Sequence, residues 1–421
     1  MAIQNTFPAI KPSLNLDFAN TKQLDPRITF TRASTATYYD QFGVLQTAPA
    51  GVPRFDHDPV TGESLGFLIE EQRTNLLTYS EQFDNAAWTK SNATVTANTV
   101  VAPDGTLTGD KAIISASTDA TSIAQAVSFS SNTTYALTVY AKKGELMYLN
   151  LGFDVNSFNY GGTQFDLLSG TVLRTGSAGG NYTLGTSTIE SVGGGWYRCK
   201  VVISIGATAA TFRIITYPSN TLWSSGYIVQ TLTGDGTSGI YIWGAQLEAG
   251  AFPTSYIPTV ASQVTRSADA TSMTGPNFSS WFRADEGTLY NESRGADISS
   301  STRTQLAVSD GTGNNRILCT YGTAFNWLVQ DSGNLQAALA NGVSTLGLFE
   351  KAAGAYKVND FAVSKNSTAV TTDTLGSVPV VNRLYLGAGA TGTAAYLNGT
   401  IKRLTYYPKR LSNTELQSIT S

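Results

Sequence analysis

Two short segments of the sequence combine aromatic and amide side chains with residues that favour turns. The first is Asn156-Ser-Phe-Asn-Tyr160 and the second is Tyr217-Pro-Ser-Asn-Thr-Leu-Trp223. Pyranose faces are apolar and sugar hydroxyls need hydrogen-bond partners, so flat rings beside polar side chains are typical of saccharide sites. The predicted ligand-binding residues in these segments are Asn156, Phe158, Tyr160, Tyr217, Asn220 and Trp223. The alternative is that the rings close the ends of a β-sandwich.

A further aromatic group lies in the last third of the chain. Trp327 is close in sequence to Tyr321 and Phe325. We add Trp327 to the predicted ligand-binding residues, because a flat ring of this size can cover a sugar face. Core packing is the alternative for this residue too, since large aromatic side chains in strands are mostly buried.

The sequence offers few residues for nucleophilic or metal-dependent catalysis. His57 is the only histidine, so a Ser-His-Asp triad, a Cys-His pair and most zinc sites would all have to use it. It lies in Asp56-His57-Asp58, just before Pro59. We predict that these side chains brace a turn rather than form the wall of a pocket. A metal site is the alternative.

The acidic residues show no arrangement that predicts glycan hydrolysis. Glycosidases need two carboxylates, about 5–5.5 Å apart for retention or further apart for inversion. The carboxylates of this chain are scattered or lie in turn-like sequence, and there is no phosphate-binding loop, no GxGxxG before a helix and no HExxH. We therefore expect no enzymatic activity. A hydrolase that pairs carboxylates from different strands is the alternative.

The composition is typical of strands joined by many turns. The 421 residues include 40 glycines and 10% aromatic residues, and only 14% are charged, against roughly 25% in an ordinary soluble domain. This mixture is too apolar for a disordered chain and lacks the Leu, Ala, Glu and Lys content of helical bundles. It suits pleated sheets connected through Gly, Asn, Asp and Ser.

Charge and apolar pattern exclude several classes of partner. The net charge of −3, from 27 basic and 30 acidic residues, predicts no general attraction to nucleic acid. No apolar run reaches the roughly 18 residues of a membrane span, so we expect no membrane insertion. The first residues have neither a basic region nor an apolar core, so no secretory signal is expected.

The two cysteines favour a protein made in a reducing compartment. Cys199 and Cys319 lie far apart in sequence, with no CxxC or Cys/His spacing. We predict that both are free thiols in core strands. A disulfide between them is the alternative.

Strand-like segments predict an all-β fold in three regions. Residues 1–75 contain short alternating segments that would bury little apolar surface alone, so we expect them to pack against another subunit or a larger assembly. Residues 76–258 and residues 259–421 each contain a series of strands separated by turns, without a sustained helical period. We therefore predict two jelly-roll β-sandwiches in tandem behind a small N-terminal β region.

The end of the chain carries two more local signals. Ser412-Asn-Thr-Glu415 has the spacing of a capping box and predicts a short terminal helix. In the strand before it, Tyr406 and Tyr407 are neighbours and must point to opposite faces. We expect one of these two rings to be exposed or at an interface.

Two stretches resemble known carbohydrate-binding domains. Tyr241-Ile-Trp-Gly-Ala-Gln-Leu-Glu-Ala-Gly250 resembles the closing strand of carbohydrate-binding modules of the family 4/9 type, and Ala102-Pro-Asp-Gly-Thr106 suits the opening of such a module. The ending Asn-Gly, strand and Tyr-Pro-Lys-Arg-Leu-Ser, within residues 287–416, is similar to that of concanavalin A-like (laminin-G-like) lectin domains. These resemblances imply sandwiches that bind glycans. The Glu-x-Asp-x-Glu run of concanavalin-like glycanases is absent.

The module resemblance also implies a structural calcium ion as an open alternative. Both module families often hold Ca²⁺ through carboxylates and backbone carbonyls, which suit a hard cation. The candidate ligands are Asp104, Asp110 and Glu248. Asp104-Gly105 equally fits a simple turn.

The N-terminal sequence resembles a segment that recurs in bacteriophage structural proteins. The resemblance lies in Leu16-Asp-Phe18, in Phe30-Thr-Arg-Ala-Ser-Thr-Ala-Thr-Tyr38 and in residues 53–75. It implies a virion protein of the tail-fibre or head-fibre type, made in the host bacterial cytoplasm, whose residues 1–75 contact other virion proteins. Such fibres are usually trimers, so the resemblance also implies a homo-oligomer.

We expect a bacteriophage fibre or adhesin that binds host surface polysaccharide without cleaving it during adsorption. Single glycan sites are shallow, so affinity would come from several copies acting together. Two alternatives stay open. One is a structural capsid decoration or head-fibre protein without a glycan ligand, and the other is a polysaccharide depolymerase.

Overall fold

A computed structural model of the protein describes residues 8–156, 159–180, 182–208, 210–222, 229–296 and 303–421. Their regular secondary structure is almost entirely β-strand, with 51% of residues in strands and 4% in helices, which confirms the predicted all-β fold with β-sandwich domains. Among them, no helix is long and apolar enough to cross a membrane.

The N-terminal segment consists of short elements. They are β1 (Leu14–Asp17), α1 (Phe18–Thr21), β2 (Thr29–Thr31), β3 (Ala36–Tyr39), β4 (Leu45–Ala48), β5 (Phe55–His57), β6 (Ser64–Ile69) and β7 (Arg73–Asn75). β3 and β4 form a two-stranded hairpin. The others pair with strands from later parts of the chain.

The central strands form one β-sandwich. They are β8 (Thr89–Ser91), β9 (Ala93–Val100), β10 (Gly109–Ile114), β11 (Thr118–Phe129), β12 (Thr134–Lys142), β13 (Tyr148–Asn156), β14 (Asn159–Asp166), β15 (Thr171–Ala178), β16 (Tyr182–Ser191), β17 (Trp196–Ile205), β18 (Ala210–Ser219), β19 (Gln230–Thr233) and β20 (Gly239–Ala249). Within the described residues, sheet 1 has the order β16-β17-β12-β20-β10-β9 and sheet 2 the order β15-β14-β13-β18-β11-β19, with β8 beside β11.

The remaining elements belong to a second sandwich. They are β21 (Val264–Arg266), β22 (Ala270–Thr274), α2 (Pro276–Ser279), β23 (Glu286–Gly295), β24 (Arg303–Ser309), β25 (Arg316–Tyr321), β26 (Asn326–Asp331), β27 (Asn334–Ala340), β28 (Glu350–Lys357), β29 (Phe361–Lys365), β30 (Thr371–Asp373), β31 (Arg383–Leu386), β32 (Gly399–Tyr407) and α3 (Asn413–Ile419).

The N-terminal strands complete the sheets of this second sandwich. In the described part of the chain, one sheet has the order β30-β29-β28-β23-β32-β6-β5, with β1 also on β32, and the other has the order β2-β22-β31-β24-β25-β26-β27. Leu16, Phe18 and Phe67 are buried in the same core as Leu404 and Trp327. Residues predicted to pack against another subunit thus bury their apolar side chains against the C-terminal part of the same chain, because unpaired edges of β32 and β22 accept them. Virion attachment through residues 1–75 stays a prediction.

The terminal helix α3 explains the two neighbouring tyrosines of β32. Tyr406 points into the core, while Tyr407 on the opposite face packs in a cluster with Leu411 and Leu416. Both rings are buried, so the expectation that one would be exposed is wrong. The sequence showed the alternation but not that α3 covers the outer face. The Ser412 capping box is confirmed, and so are the two buried free cysteines.

A buried ion network joins the N-terminal strands to the chain after β20. Arg54 Nη1 lies 2.8 Å from Glu70 Oε2, and Arg54 Nη2 lies 2.6 Å from Asp269 Oδ2. Asp269 also pairs with Arg32 at 3.0 Å, and Glu70 with Arg266 at 2.6 Å. All five side chains are almost fully buried. We call these five residues the junction network.

The segment that follows β20 is fastened to the same network. Ser255 N–H donates to Glu70 Oε1 at 2.7 Å, and the Ser255 hydroxyl donates to Glu70 Oε2 at 2.6 Å. Thr37 Oγ1 donates to the carbonyl of Tyr256 at 2.6 Å. Burial raises the pKa of Glu70, but the charges of Arg266 and Arg54 outweigh it and lower the pKa to about 2. Glu70 is therefore ionised at neutral pH and fixes the position of the connection between the two sandwiches.

We predict that Arg54→Met strongly destabilises the protein. The substitution leaves the carboxylates of Glu70 and Asp269 buried with fewer counter-charges, and removal of one partner from a buried pair costs about 3–5 kcal/mol. Chemical denaturation measures this loss. The matched control is Arg27→Met, which breaks the more exposed Arg27–Asp25 pair and is expected to cost no more than about 1 kcal/mol. Equal losses for the two variants would contradict the role of the junction network.

Candidate functional site

The structure brings the two predicted aromatic segments to the same face of sheet 2. β13 lies between β14 and β18, so the strands that carry Tyr160 and Tyr217 flank one central strand. The two rings pack in a cluster with Ile215 on the outer face, opposite the core face that holds Leu149 and Leu151. Both rings are buried.

Between these rings lies an asparagine that the sequence analysis did not select. Asn150 on β13 is paired in register with Tyr217 on one side and Gln164 on the other. It is 1% exposed, and neither polar atom of its amide has a hydrogen-bond partner within the described residues. Leaving such a group unsatisfied costs about 1–3 kcal/mol. The alternation of Tyr148-Leu-Asn-Leu-Gly-Phe places Asn150 on the face opposite its leucine neighbours, and this signal is visible in the sequence.

The edge of this face is charged. Arg213 forms a two-point ion pair with Asp154, at 2.8 Å from Nε and 2.5 Å from Nη2. The Arg213 side chain is 45% exposed, whereas Asp154 is buried. This face is thus covered at its centre and open to solvent at Arg213.

The other predicted residues of these segments have different positions. Asn220 is exposed, and its Nδ2 donates to the Thr233 carbonyl at 2.8 Å. Asn156 ends β13, and its side chain lies outside the described part. Phe158 and Trp223 lie outside the described residues altogether. Ligand contact by these residues stays a prediction.

Trp327 lies in the core of the second sandwich. It is fully buried, and its ring packs against Gly354, where a Cβ atom would be 2.2 Å from the ring. β26 alternates so that Trp327 and Val329 both point inward. In this structure the ring offers no exposed face to a sugar. The core alternative therefore describes this residue.

The candidate calcium ligands already have protein partners. Asp104 accepts the Thr106 N–H at 3.0 Å, as in a turn. Asp110 accepts N–H groups of Phe83 and Asn98, and burial raises its pKa to about 6. Glu248 accepts the Thr254 N–H at 2.9 Å. Among the described residues, no group of three His, Cys, Asp or Glu side chains could hold a metal ion.

An open cleft of about 550 Å³ lies where the N-terminal hairpin, sheet 1 and the second sandwich meet. We call it the junction cleft. Its volume is in the range of about 300–1,000 Å³ that small-ligand sites occupy. Three walls surround it: sheet 1, the N-terminal strands β3 and β5, and later elements of the second sandwich.

The first wall is the outer face of sheet 1. Glu190 on β16 is paired in register with Arg198 on β17, which is paired with Tyr140 on β12. Thr188, Lys200 and Thr138 form the next row across the same strands. Residues directly opposite each other in a sheet share a face, and all six line the cleft. Strand alternation around Cys199 indicates this polar face, but the sequence did not show what it faces.

The second wall corrects the interpretation of the histidine segment. Phe55–His57 is strand β5, paired with β6, and Asp56 and His57 line the junction cleft. The expected braced turn begins only at Asp58, which accepts two backbone N–H groups. His57 Nδ1 lies 3.1 Å from the Tyr39 carbonyl and therefore donates to it. Its Nε2 is buried and has no hydrogen-bond partner in the part of the chain that the structure describes.

The third wall comes from the second sandwich. Arg294 at the end of β23, Thr400 at the start of β32 and Leu346 between β27 and β28 line it. Arg294 lies 5.3 Å from the centre of the Phe349 ring, which supports the guanidinium from below. The Tyr39 and Tyr140 hydroxyls, 3.3 Å apart, close the floor between the first two walls.

Known proteins resemble this chain only weakly. No protein family model and no curated protein matches the chain. Similar solved structures include the CBM40 of Ruminococcus gnavus IT-sialidase bound to α2,3 sialyllactose, with 15% identity, a TM-score of 0.30 and coverage of 33% of this chain and 84% of that chain. NanB sialidase of Streptococcus pneumoniae has 14% identity and a TM-score of 0.30, and the match covers 36% of this chain and 26% of that chain. Domain 4 of AbnA, a Geobacillus stearothermophilus arabinanase, in complex with arabinotriose, has 10% identity and a TM-score of 0.30. That match covers 40% of this chain and 82% of that chain. Similarities this low assign no function.

We predict a pH dependence of stability that Asp56 causes. Burial raises its pKa to about 6, against the opposing Tyr39 N–H and the charge of Arg54. Because the folded pKa is above the ordinary 3.8, the stabilising protonated form is complete below about pH 4 and is lost as the pH rises through about 6. Asp56→Asn should therefore gain in unfolding free energy relative to the wild type between about pH 4 and pH 7.

Urea unfolding at a series of pH values measures this difference. The control is Asp25→Asn, because the hydrogen bond from Arg27 lowers the pKa of Asp25. That variant should lose stability relative to the wild type as the pH rises through about 4. A pH-independent difference for Asp56→Asn would contradict the burial of its carboxyl group.

Proposed function

We propose that this protein is a non-catalytic carbohydrate-binding protein that holds a saccharide in the junction cleft. The observation that carries the proposal is the ordered polar face of sheet 1, in which exposed Glu190 and half-buried Arg198 are paired in register at the wall of an open cleft, beside the buried Tyr140. Carboxylate, guanidinium and hydroxyl groups at fixed spacing can accept from and donate to the hydroxyl groups of a sugar ring.

The walls also supply the apolar contact that a sugar ring needs. Tyr38 and Tyr39 on β3, Leu346 and Pro253 all line the cleft beside the polar rows. A cleft that combines aromatic and aliphatic surface with a few convergent polar groups is the usual form of a small-ligand site. The volume of about 550 Å³ accommodates an oligosaccharide segment rather than a single small ion.

The finer proposal is that the ligand is host surface polysaccharide and that the protein is a bacteriophage virion fibre. The N-terminal resemblance to phage structural proteins supports it. β3 and β5, which belong to the resembling segment, also form one wall of the cleft. Virion attachment and ligand binding would therefore share one rigid unit, and several copies in a homo-oligomer would raise the avidity for a repeating polymer.

We predict that filling the junction cleft abolishes glycan binding. Thr188→Trp places a large ring on the sheet 1 wall, and the affinity for isolated host surface polysaccharide should fall at least tenfold in titration calorimetry. Thr183→Trp is the matched control, because Thr183 is an exposed residue of the same strand outside the cleft. Both variants should unfold at the wild-type temperature.

The same mixtures of protein and polysaccharide, assayed also for new reducing ends, distinguish the remaining functions. Loss of binding in Arg213→Gln but not in Thr188→Trp would move the site to the outer face of sheet 2. New reducing ends would contradict non-catalytic binding and make Asp56 and Glu190 the carboxylates to replace. Absence of binding by the wild type to the polysaccharide of a host that the phage adsorbs to would favour a structural virion protein.

A further inference from the structure

We infer that the junction cleft selects a saccharide that bears a carboxylate, and that Arg198 and Arg294 bind this group. The inference rests on the proposed function and adds the class of ligand to it. The observation behind it is a difference between the arginines inside the cleft and those packed directly behind it.

The arginines behind the cleft are all paired. Arg32 pairs with Asp269, Arg54 with both Asp269 and Glu70, and Arg266 with Glu70. Each of these guanidinium groups therefore has a carboxylate within direct contact. A buried cation needs such a partner, because removing a charge from water without compensation is costly.

Arg198 in the cleft has no such partner. Within the described residues it forms no salt bridge; its Nη2 donates to the Thr254 carbonyl at 2.8 Å and lies 3.4 Å from Thr138 Oγ1. Among the described residues its buried Nε has no hydrogen-bond partner, as is also true of Arg54 and Arg266. The Tyr140 ring lies 5.6 Å from the guanidinium carbon and holds it in place. The guanidinium of Arg198 is thus fixed at the cleft wall without a carboxylate in direct contact from the described residues.

Arg294 approaches the cleft from the second sandwich. It also forms no salt bridge with a described carboxylate, and its guanidinium rests on Phe349. Arg294 lines the same cleft as Asp56 of the second wall and Arg198 of the first. Two guanidinium groups on different walls therefore face the same space. Their planar forks match the two oxygens of a carboxylate.

The carboxylates of the cleft are suited to the rest of a sugar. Glu190 is exposed at the edge of the sheet 1 row, and Asp56 keeps one oxygen on the Tyr39 N–H at 2.8 Å. Both can accept hydrogen bonds from ring hydroxyls. Glu70 is excluded from this role because the junction network occupies it. The cleft thus offers cations for an acidic substituent and acceptors for hydroxyl groups.

Titration calorimetry of the full chain with matched acidic and neutral sugars tests the inference. Trigalacturonate is compared with its methyl ester, and sialyllactose with the methyl ester of its sialic acid, so that each pair differs only in the ionised carboxylate. We expect at least one acid to bind at least tenfold more tightly than its neutral partner. A preference for trigalacturonate would identify the ligand as a uronate, and a preference for sialyllactose would identify it as a sialate. Competition by inorganic phosphate at the same concentration as the sugar would overturn carboxylate selectivity.

Variants connect the preference to the two arginines. Arg198→Gln and Arg294→Gln should each weaken the acidic sugar at least tenfold and change the neutral one less than twofold. Arg198→Lys keeps the charge but not the planar fork, so its affinity for the acidic sugar should lie between that of the wild type and that of Arg198→Gln. Arg174→Gln is the control, because Arg174 is exposed on sheet 2 and its loss changes the net charge equally. Circular dichroism melting verifies that each variant folds.

The outcomes separate the inference from the proposed function. Equal affinity for acid and neutral partner, both lost in Thr188→Trp, overturns the inference and leaves glycan binding in the cleft. The inference is also overturned, and glycan binding in the cleft retained, if neither acid binds but a neutral polysaccharide binds to the wild type and not to Thr188→Trp. Absence of binding by every saccharide overturns both.

Discussion

The buried junction network is the interaction on which the arrangement of the whole chain depends. Three arginines and two carboxylates from the N-terminal strands and from the chain after β20 are buried together. Each charge is tolerated there only because the others are present. Ser255 ties the connection between the sandwiches to Glu70. The network therefore fixes where the central sandwich stands relative to the second one.

The junction cleft is a consequence of that fixed position. Sheet 1 alone would present Glu190, Arg198 and Tyr140 on an open face, and the second sandwich alone would present Arg294 on its rim. Holding the two at a set distance, with the β3–β4 hairpin and β5 between them, turns separate polar surfaces into one open cleft. The arginines behind the cleft are neutralised by the network, whereas Arg198 and Arg294 line the cleft and form no salt bridge with a described carboxylate.

The two candidate surfaces of the central sandwich differ in how far their polar side chains are exposed. On sheet 2, Tyr160 and Tyr217 are buried, and the orphaned amide of Asn150 is enclosed with them. On sheet 1 Tyr140 and Thr138 are buried too, but Thr188, Glu190, Arg198 and Lys200 are half-buried or exposed and line the junction cleft.

Alternation, turns and capping are local properties, so the all-β class, the inward cysteines and the capped terminal helix follow directly from the order of residues. The same reasoning placed Tyr406 and Tyr407 on opposite faces but could not place α3 over one of them. It also could not assign the strands of residues 8–75 to the second sandwich, because pairing between segments hundreds of residues apart leaves no periodic signal. His57 changes from an expected turn to a cleft wall for the same reason. Arg54, Glu70 and Asp269 have no meaningful spacing in sequence, and their contacts exist only in the folded chain, where charges that cannot reach water must reach one another.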